Sequence, residues 1–369
     1  MKLAIICRPF VFHGGLENAT AGLIGELVRQ GHEVHLFSTA GQSEIPGVRL
    51  HRLRVIPAPS LARVVSFARA ARAAVSRDHW DVIQSHERTF VQDVYRAGEG
   101  CHRAYLNVKG RKLGALKRAA LRANPYHHAL LLLERKIFSP GGTKRIVAIS
   151  RLGKAEIGRL YGLPDSRVSV IYNGVDLERF HPRNRERFRL GIREALGIGP
   201  DAWVVLFVGS GFERKGLGPL VEGFALTRDR ESRLVVVGKG DVAPYRALAD
   251  RLGVAARIVW AGPKPDVERY YASADAVALP ALYEPFGNVH LEALASGLPV
   301  LASARAGGSE VVSHAKNGWI LDDPENAGGI REGLQALREA GQGWRDVARA
   351  ASLPFTFEAQ ARFFTDLYR

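Results

Sequence analysis

The sequence lacks the features that define several large classes of protein. Its two cysteines, Cys7 and Cys101, cannot build a disulfide framework or a cysteine metal site, and so few cysteines are typical of a reducing compartment. No apolar run approaches the roughly 18 residues that a membrane-spanning helix needs. Arg8 interrupts the apolar start of the chain, so we expect a first buried strand there rather than a secretory signal.

Acidic residues are scarce relative to basic ones. The 369 residues include 52 lysines and arginines against 37 aspartates and glutamates, which gives a formal net charge of +15. Such an excess predicts an anionic partner: a nucleotide, a phosphorylated lipid, a membrane surface or a nucleic acid. The 46% hydrophobic and 24% charged residues are typical of a globular protein, and the length suits two domains.

Short β-type runs alternate with helical patterns along the chain, which predicts an α/β fold with parallel, doubly wound sheets. The first series of predicted strands is 2–8, 32–38, 81–87, 145–150 and 168–175. The second series is 202–209, 232–238, 256–262, 275–280 and 299–303. The charged segment 176–201 is predicted to link the halves. We expect two Rossmann-like domains that face each other across a cleft, with ligands at the carboxyl ends of the strands.

Two glycine-containing loops follow predicted strands. In "FHGGLENAT" (12–20), Gly14 and Gly15 would let the backbone approach a ligand, and the next helix would offer N–H groups to an anion. A plain strand-to-helix turn explains the same residues. In "VGSGFERKGL" (208–217), Arg214 and Lys215 suit phosphate oxygens. A solvated charge pair is the alternative, but the position after the first strand of the second half favours phosphate binding.

The stretch "YEPFGNVHLE" (283–292) carries two glutamates at a predicted helix start. A helix over 289–297 that begins near Asn288 would offer the amides of Phe286 to Asn288 to an anion. Glu284 precedes this helix, and Glu292 lies one turn, about 6 Å, inside it. A carboxylate there could accept paired hydrogen bonds from a sugar diol. Two unrelated surface acids are the alternative.

Together these motifs resemble those of the retaining glycosyltransferases of the GT-B fold, family 4. Glu284 and Glu292 match the family's E-x7-E motif, within "EPFGNVHLEALASGLPVLAS" (284–303). The Gly-Gly loop, "NGVD..RF" at 173–180 and "VG…RKG" at 208–216 also match, as do "GGSEVV" at 307–312 and "NGWI" at 317–320. The resemblance covers nearly the whole chain. It implies an acceptor-binding domain at 1–180, a nucleotide-sugar domain at 181–355, and a helix at 356–369 that packs back on the first domain.

The resemblance also implies roles for single residues. Arg214 and Lys215 would hold the donor pyrophosphate, Glu292 the nucleotide ribose, and Glu284 the transferred sugar. The amides of Phe286, Gly287 and Asn288 would lie beside the transferred sugar, next to Glu284. Gly15, with Gly14, would lie near the phosphates and the acceptor.

Three further positions complete the predicted site, the first two by the same resemblance and the third by its place at a strand end. Glu99, which precedes Gly100-Cys101, is the candidate for activating or orienting the acceptor hydroxyl, although Asp is commoner there. Ser210 stands where many family members have an Arg after the strand glycine, which leaves Arg214 to supply the guanidinium. Gly238, in "VVVGKGD" (235–241), and the loop 261–265 would contribute to recognition of the base.

Within the family, the loop 208–216 and "VYRAGEGCHRAYL" (94–106) resemble the lipopolysaccharide core glucosyltransferases that act on heptose. This implies transfer of a hexose, preferably glucose from UDP-glucose, to a heptose of the inner core. A mannosyl- or N-acetylglucosaminyltransferase of family 4 acting on a glycolipid or polysaccharide is the alternative. The alternatives from other functional classes are an epimerase, a phosphorylase and a non-catalytic nucleotide- or lipid-binding module. The two glutamates beside Arg214 and Lys215 argue against the module.

The sequence shows no Asp-x-Asp after a predicted strand. Arg214, Lys215 and a helix N-terminus can offset the charge of a leaving nucleotide diphosphate, so we expect no metal requirement and no cofactor. The family retains anomeric configuration, and the chain offers no obvious nucleophile. Front-face substitution by the acceptor is therefore the expected mechanism.

The segment 102–139 holds nine cations against one acid, Glu134. The cations are Arg103, Lys109, Arg111, Lys112, Lys117, Arg118, Arg122, Arg135 and Lys136. Apolar residues at 113, 116, 120 and 121 predict a basic amphipathic helix. A solvated basic helix remains the alternative, and nucleic acid is disfavoured because no stacking aromatics are interleaved. We expect a cytoplasmic enzyme on the inner membrane, which attracts the basic segment and presents a lipid-linked saccharide acceptor.

Overall fold

A computed structural model describes residues 1–10, 15–111 and 113–369, and their side chains except those of 15–18. Gly14 of the first candidate loop and Lys112 of the basic segment lie outside the described residues. The chain forms two compact units. The N-terminal unit contains residues 1–10, 16–172 and 357–369, and the C-terminal unit contains Asn173–Thr356.

Each unit contains one parallel β-sheet, as the alternating pattern predicts. In the N-terminal unit the strands are β1 (Lys2–Ile6), β2 (Glu33–Ser38), β3 (Val48–Arg52), β4 (Val82–Ser85), β5 (Val94–Ala97), β6 (Arg145–Ala148) and β7 (Val168–Val170). In the C-terminal unit they are β8 (Val204–Val208), β9 (Arg233–Val237), β10 (Ile258–Gly262), β11 (Ala276–Leu279), β12 (Val300–Ser303) and β13 (Gly318–Leu321). The prediction of two Rossmann-like domains is confirmed.

Helices connect the strands in both units. They are α1 (Gly15–Arg29), α2 (Ser60–Val75), α3 (His102–Arg111), α4 (Ala115–Ala123), α5 (Pro125–Ile137), α6 (Arg151–Tyr161), α7 (Asn184–Ala195), α8 (Leu217–Ala225), α9 (Ala243–Arg251), α10 (Val267–Ser273), α11 (Val289–Ala295), α12 (Ala327–Glu339), α13 (Gly343–Ser352) and α14 (Phe357–Tyr368). Among the helices of the described ranges, none combines the length and the apolar character that crossing a bilayer requires.

The strand orders place one topological switch point in each sheet. The N-terminal order is β3-β2-β1-β4-β5-β6-β7, so the direction of chain progression reverses between β1 and β4. The C-terminal order is β10-β9-β8-β11-β12-β13, and the reversal lies between β8 and β11. Loops that follow two such neighbouring strands diverge and leave a crevice at their carboxyl ends. The segments after β8 and β11 are those that carry Arg214, Lys215 and Glu284.

Three strands are absent from the sequence-based prediction. Strand β3 lies at the edge of its sheet and alternates apolar with charged residues, so its signal is weak. Strand β5 has four residues and includes the fully buried Arg96, which interrupts the apolar pattern. Strand β13, at the other sheet's edge, falls within the "NGWI" motif. Short or polar strands become visible only through their pairing with neighbours.

The segment 176–201 is more than a link, because α7 forms within it. Arg185, Arg189 and Arg193 recur every four residues on one side of this helix. All three donate to the carboxylate of Asp275, at 2.9, 3.0 and 2.7 Å. The charges that suggested a solvent-exposed linker therefore bind the helix to the C-terminal unit.

The basic segment forms three helices instead of the one expected. Helices α3, α4 and α5 divide it, and Leu113 lies between the first two. Asn124 ends α4 and caps α5, where its side chain accepts the N–H of Tyr126 at 2.9 Å, and Pro125 occupies the first position of α5. The Asn-Pro pair thus explains the second break. Every described residue of α4 is partly or fully exposed, including Leu116 at 88%.

The C-terminal helix α14 contributes to the core of the N-terminal unit. Phe364 and Tyr368 pack with residues of β1, β2 and α1, and the Tyr368 hydroxyl donates to Gln84 at 2.6 Å. Gly22 of α1 lies so close to Phe357 that an added Cβ would be 2.4 Å from its ring. The end of the chain is therefore an integral part of the N-terminal unit's packing.

Candidate active site

Arg214 and Lys215, in the loop between β8 and α8, both contact Glu284. The Arg214 guanidinium donates to the Glu284 carboxylate at 2.8 Å and to the carbonyl of Tyr283 at 2.9 Å. The Lys215 ammonium lies 3.1 Å from the same carboxylate oxygen. Two cations from one loop thus converge on the carboxylate that follows the neighbouring strand.

Glu284 is an ionised group in a buried position. Burial alone would raise the pKa of its carboxyl, but Lys215 and Arg214 outweigh that effect and hold the pKa below its ordinary value. Only 9% of Glu284 and 9% of Lys215 is exposed to solvent. Because two cations face one carboxylate, this cluster keeps a positive charge with which it could bind a phosphate.

Gly216 allows this loop to pack closely against the segment after β11. It has a φ of +77°, and a Cβ on it would lie 1.9 Å from the carbonyl oxygen of Pro280. Two residues further on, the Leu282 N–H donates to the carbonyl of Arg214 at 2.8 Å. The glycine in "ERKG" therefore has a steric reason, which is the approach of two loops at the switch point.

The turn after Glu284 leads into α11. Gly287 has a φ of +84°, and Asn288 is the N-cap residue, so the helix starts where the sequence predicts. The Asn288 side chain accepts a hydrogen bond from Asn173 at 2.6 Å, and the carbonyl of Phe286 accepts one from Gly308 at 2.6 Å. These contacts fix the three residues whose amides the resemblance assigns to the donor.

Glu292 has surroundings that differ from those of Glu284. It lies on α11, is 6% exposed, and accepts a hydrogen bond from the hydroxyl of Tyr271 at 2.7 Å. Burial raises the pKa of its carboxyl, and the Tyr271 bond only partly offsets this. The described residues place no cation in an ion pair with Glu292. An oriented carboxylate of this kind suits recognition of neutral hydroxyls better than it suits charge neutralisation.

Ser210 and Gly238 lie at the ends of β8 and β9. The Ser210 hydroxyl accepts the N–H of Lys239 at 3.3 Å. Gly238 has a φ of +149°, and a Cβ there would lie 2.0 Å from the carbonyl oxygen of Gly209. The two loops therefore touch through residues that need small side chains, beside the loop of Arg214.

Glu99 belongs to the N-terminal unit, and the structure groups it with arginines. It accepts hydrogen bonds from Arg8 at 2.5 Å and from Arg88 at 3.0 Å. Burial alone would raise the pKa of Glu99, but the two guanidiniums lower it below its ordinary value. Arg8 also binds Glu87 at 2.7 Å, and Arg88 binds the fully buried Glu134 at 3.0 Å.

The structure thus assembles Arg214, Lys215 and Glu284 in one cluster and places Glu99 in another unit. Gly15 is the first residue of α1, and the neighbouring Gly14 is not among the described residues. In the described part of the chain, no group of three or more histidine, cysteine, aspartate or glutamate side chains is arranged to hold a metal ion.

Sequence reasoning missed several residues that support the site. Tyr271 orients Glu292, but nothing in "ERYYAS" distinguishes it from a core tyrosine. His290 is fully buried, with its Nδ1 atom 2.7 Å from the carbonyl oxygen of Gly287, and burial lowers its pKa to about 4. Asn173 belongs to the "NGVD" motif, but the sequence does not show that its side chain donates to Asn288. Each role depends on a contact between residues distant in sequence or on the packing of a turn.

Two family models match the chain in adjoining regions. The model of Glycosyl transferases group 1 matches residues 189–350, and that of Glycosyltransferase Family 4 matches residues 13–179. A D-inositol 3-phosphate glycosyltransferase from Xylanimonas cellulosilytica is 30% identical, with 96% of this chain and 91% of that protein covered. The lipopolysaccharide glucosyltransferase WaaG of Escherichia coli is 25% identical, with 95% and 93% covered.

Solved structures show the same fold. A crystal structure of WaaG, a glycosyltransferase involved in lipopolysaccharide biosynthesis, has a TM-score of 0.85 at 23% identity and 99% coverage of both chains. HepE from Anabaena, solved with UDP and glucose, has a TM-score of 0.76 at 18% identity, with 100% of this chain and 99% of that chain covered. With both family models matched and a full-length relative at 30% identity, the chain belongs to the group 1 and family 4 glycosyltransferases and has the GT-B fold.

Proposed function

We propose that the protein is a retaining hexosyltransferase that moves glucose from UDP-glucose to a heptose of the lipopolysaccharide inner core. The observation that carries this proposal is the cluster of Arg214 and Lys215 around Glu284 at the switch point between β8 and β11. A donor pyrophosphate would take over part of the hydrogen bonding of these cations. Glu284 would then be available to the hydroxyls of the transferred sugar.

The donor pyrophosphate would bind where positive charge exceeds negative charge. Fixed cations in a site with little water stabilise charge that develops on a leaving group, because they need no reorganisation during the reaction. The ribose would bind at Glu292, which Tyr271 orients. UDP-glucose is the preferred donor because HepE of the same fold is solved with UDP and glucose, and WaaG is named a glucosyltransferase.

The acceptor hydroxyl would meet Glu99. Its carboxylate is ionised and held by Arg8 and Arg88, so it suits orienting a hydroxyl by accepting its hydrogen bond. A lowered pKa makes a carboxylate a weak base. Orientation is therefore the role that its surroundings support more strongly.

The reaction would proceed on one face of the sugar. The acceptor oxygen forms a bond to the anomeric carbon as the bond from that carbon to the β-phosphate oxygen breaks, and the acceptor proton passes to the departing phosphate. Arg214 and Lys215 neutralise the nucleoside diphosphate as it leaves, so no metal ion is required. The products are UDP and a glycoside with the anomeric configuration of the donor.

The basic segment would hold the enzyme at the cytoplasmic face of the inner membrane. Its single acid, Glu134, is fully buried and accepts the N–H groups of His102 and Arg103 at the start of α3. The surface of the segment is therefore left to its cations, among them Lys117, Arg118 and Arg122 of the exposed helix α4. Such a surface attracts anionic head groups.

A donor and acceptor panel tests the proposal. Purified protein is incubated with UDP-, GDP- and ADP-sugars and with a lipopolysaccharide core lacking hexose, and the product is analysed by mass spectrometry and by NMR of the anomeric proton. We expect transfer from UDP-glucose with retention. The 30% identical relative is named for D-inositol 3-phosphate, so this acceptor belongs in the panel with mannosyl and N-acetylglucosaminyl donors as the alternative. Exclusive transfer to it would overturn the heptose assignment, and a trapped glycosyl-enzyme adduct would overturn front-face substitution.

A further inference from the structure

A cavity of about 390 Å³ lies within the C-terminal unit, away from the loops of Arg214 and Glu284. Its walls include Ser296, Gly297 and Leu298, which follow the C-terminal end of α11. The Glu284 loop leads into the opposite end of that helix, which is about 10 Å away for seven residues at 1.5 Å each. Tyr271, whose hydroxyl donates to Glu292, also lines the cavity. The cavity therefore borders the ribose end of the proposed donor site without including the loops of Arg214 and Glu284, and its size suits a small ligand.

Arginines of α7 and α13 form one side of this cavity. Arg185, Arg345 and Arg349 line it, and the first two also bind Asp275. The carboxylate of Asp275 is shared by four guanidiniums, at 2.9, 3.0, 2.7 and 3.2 Å. These belong to Arg185, Arg189, Arg193 and Arg345. One carboxylate cannot neutralise four cations, so this group keeps three positive charges, of which the two acids that line the cavity, Glu186 and Asp346, offset up to two.

The titration of these groups agrees with a surplus of cations. Burial and the neighbouring Arg185 lower the pKa of Arg345 to about 10. Burial would raise the pKa of Asp275, but hydrogen bonding and its arginines bring it to about 2. The cations therefore repel each other in surroundings with little water, where an added anion would be stabilised more strongly than at an open surface.

Hydrogen-bond donors also remain for a ligand. In the described part of the chain, the Nε and Nη1 atoms of Arg345 have no hydrogen-bond partner, because only its Nη2 donates to Asp275. Arg349 donates to the carbonyls of Phe180, Ala295 and Leu177. It forms no ion pair with any residue that the structure describes. Guanidinium groups of this kind match the oxygens of a phosphate.

The cavity also has two acids, and both lie where solvent reaches them. Glu186 and Asp346 line it and are exposed, in contrast to the partly buried Arg345. Carboxylates accept hydrogen bonds from hydroxyl groups and repel a second phosphate. The lining thus combines cations on the inner side with hydroxyl acceptors on the exposed side.

We propose that this cavity binds a small phosphorylated sugar or polyol, with its phosphate on Arg185 and Arg345 and its hydroxyls on Glu186 and Asp346. The site is additional to the donor and acceptor sites of the transferase. It does not depend on the identity of the sugar that the enzyme transfers.

Calorimetry and thermal unfolding of the full chain test the site with inorganic phosphate, glucose 6-phosphate and glucose, at constant ionic strength set with chloride. We expect phosphate to bind and to raise the melting temperature, glucose 6-phosphate to bind more tightly, and glucose to have no effect. Absence of phosphate binding would overturn the proposal. Equal affinity for phosphate and glucose 6-phosphate would show that Glu186 and Asp346 do not bind the hydroxyls of the ligand.

Variants locate the bound phosphate. Arg345→Gln removes a charged donor and should weaken phosphate binding about tenfold or more. Ala350→Leu narrows the cavity with every charge retained and should weaken glucose 6-phosphate binding as well, which covers the case in which Arg345→Gln folds poorly. The matched control is Arg214→Gln, which alters the other candidate phosphate site: it should remove only the phosphate binding that belongs to the donor site and should keep the binding that Arg345→Gln weakens. If Arg214→Gln abolishes binding, or both cavity variants bind like the natural chain, the site lies elsewhere.

Discussion

The two sheets carry clusters of charge at corresponding places, and the clusters differ in sign. In the N-terminal unit, Arg8 follows β1, Arg88 follows β4 and Glu99 follows β5. In the C-terminal unit, Arg214 follows β8 and Glu284 follows β11. Both clusters therefore form at a switch point, and both hold a carboxylate between two cations.

The surrounding acids produce the difference. The two guanidiniums of the N-terminal cluster are shared among Glu87, Glu99 and Glu134, so carboxylates outnumber cations. In the C-terminal cluster, Glu284 is the only ion-pair partner of Arg214 and Lys215 among the residues that the structure describes. A site with surplus positive charge suits a pyrophosphate, whereas a site with surplus carboxylate suits a neutral hydroxyl. The comparison teaches that the same local pattern suits two kinds of ligand, depending on the balance of charge among its neighbours.

The largest effect is expected from removal of a cation in the C-terminal cluster. Lys215→Met leaves Arg214 and Glu284 neutralising each other, so the charge on the leaving group is no longer offset. We expect kcat/KM to fall by about 100- to 1,000-fold, the range found for loss of one group that stabilises the transition state. Steady-state kinetics measure it, with the exposed Lys316→Met as the matched control. If the kcat/KM of Lys215→Met stays within threefold of the natural value, the contrast drawn between the two clusters is wrong.

A smaller effect is expected in the N-terminal cluster. Glu99→Gln removes the carboxylate that would orient the acceptor hydroxyl by accepting its hydrogen bond, so kcat should fall by about 100-fold, the loss expected when a reacting group is misplaced. The KM for the donor should stay unchanged, because the proposed pyrophosphate site lies in the other unit. Glu87→Gln, which loses a carboxylate on the same Arg8, is the control and should retain most activity. A rise in donor KM equal to the loss in kcat would contradict separate roles.

The surface cations of the N-terminal unit provide the next test. Replacing Lys117, Arg118 and Arg122 with glutamine should weaken binding to anionic vesicles by up to about 100-fold, since each cation near the surface contributes about 1 kcal/mol. Vesicle sedimentation measures it, with neutral vesicles as reference and the exposed Arg228, Arg230 and Arg251 of the other unit as matched controls. Equal binding to neutral and anionic vesicles would reject the membrane role.

Within the C-terminal unit, Tyr271→Phe should have a moderate effect. The variant removes the donor to Glu292, and we expect the donor KM to rise about tenfold with kcat unchanged, as for one hydrogen bond to a charged group. Burial already raises the pKa of Glu292, and loss of this bond raises it further. The ionised form of Glu292 would bind the ribose. As the pH is lowered, the donor affinity of the variant should therefore begin to fall at a higher pH than that of the natural protein. An unchanged pH profile would show that Tyr271 acts only in packing.

The smallest expected effect is that of a chelator. If Arg214 and Lys215 offset the leaving-group charge, EDTA should leave kcat within experimental error of its value in buffer. Transfer from UDP-glucose is measured with EDTA and with added magnesium. Activity that EDTA abolishes and magnesium restores would assign that charge to a metal ion instead of the cluster.

Much of the fold was predictable from local sequence. Apolar runs such as "AWVVLFVG" and "SRLVVVG" predict buried parallel strands because both faces of such a sheet are covered. The start of α11 at Asn288 was predictable from the turn residues before it. Helix α7 and the breaks at α4 were not, since charged residues at helical spacing look alike whether they face solvent or Asp275.

In the candidate site, too, some residues were predictable from local sequence and others were not. "EPFG", "HLEA" and "ERKG" identify Glu284, Glu292, Arg214 and Lys215 through their motifs. The Tyr271 hydroxyl on Glu292 and the four arginines on Asp275 join residues that no motif connects. Their partners become apparent only when strands and helices distant in sequence are packed together.

The sequence by itself determined the family, the parallel α/β architecture and the chemical types available at the site, because hydrophobic periodicity and glycine-bounded motifs are local properties of the chain. Only the tertiary structure decided which charges compensate each other. Whether a carboxylate neutralises one cation or is shared by four depends on distances of a few ångströms between segments far apart in the chain, and on burial that strengthens each interaction.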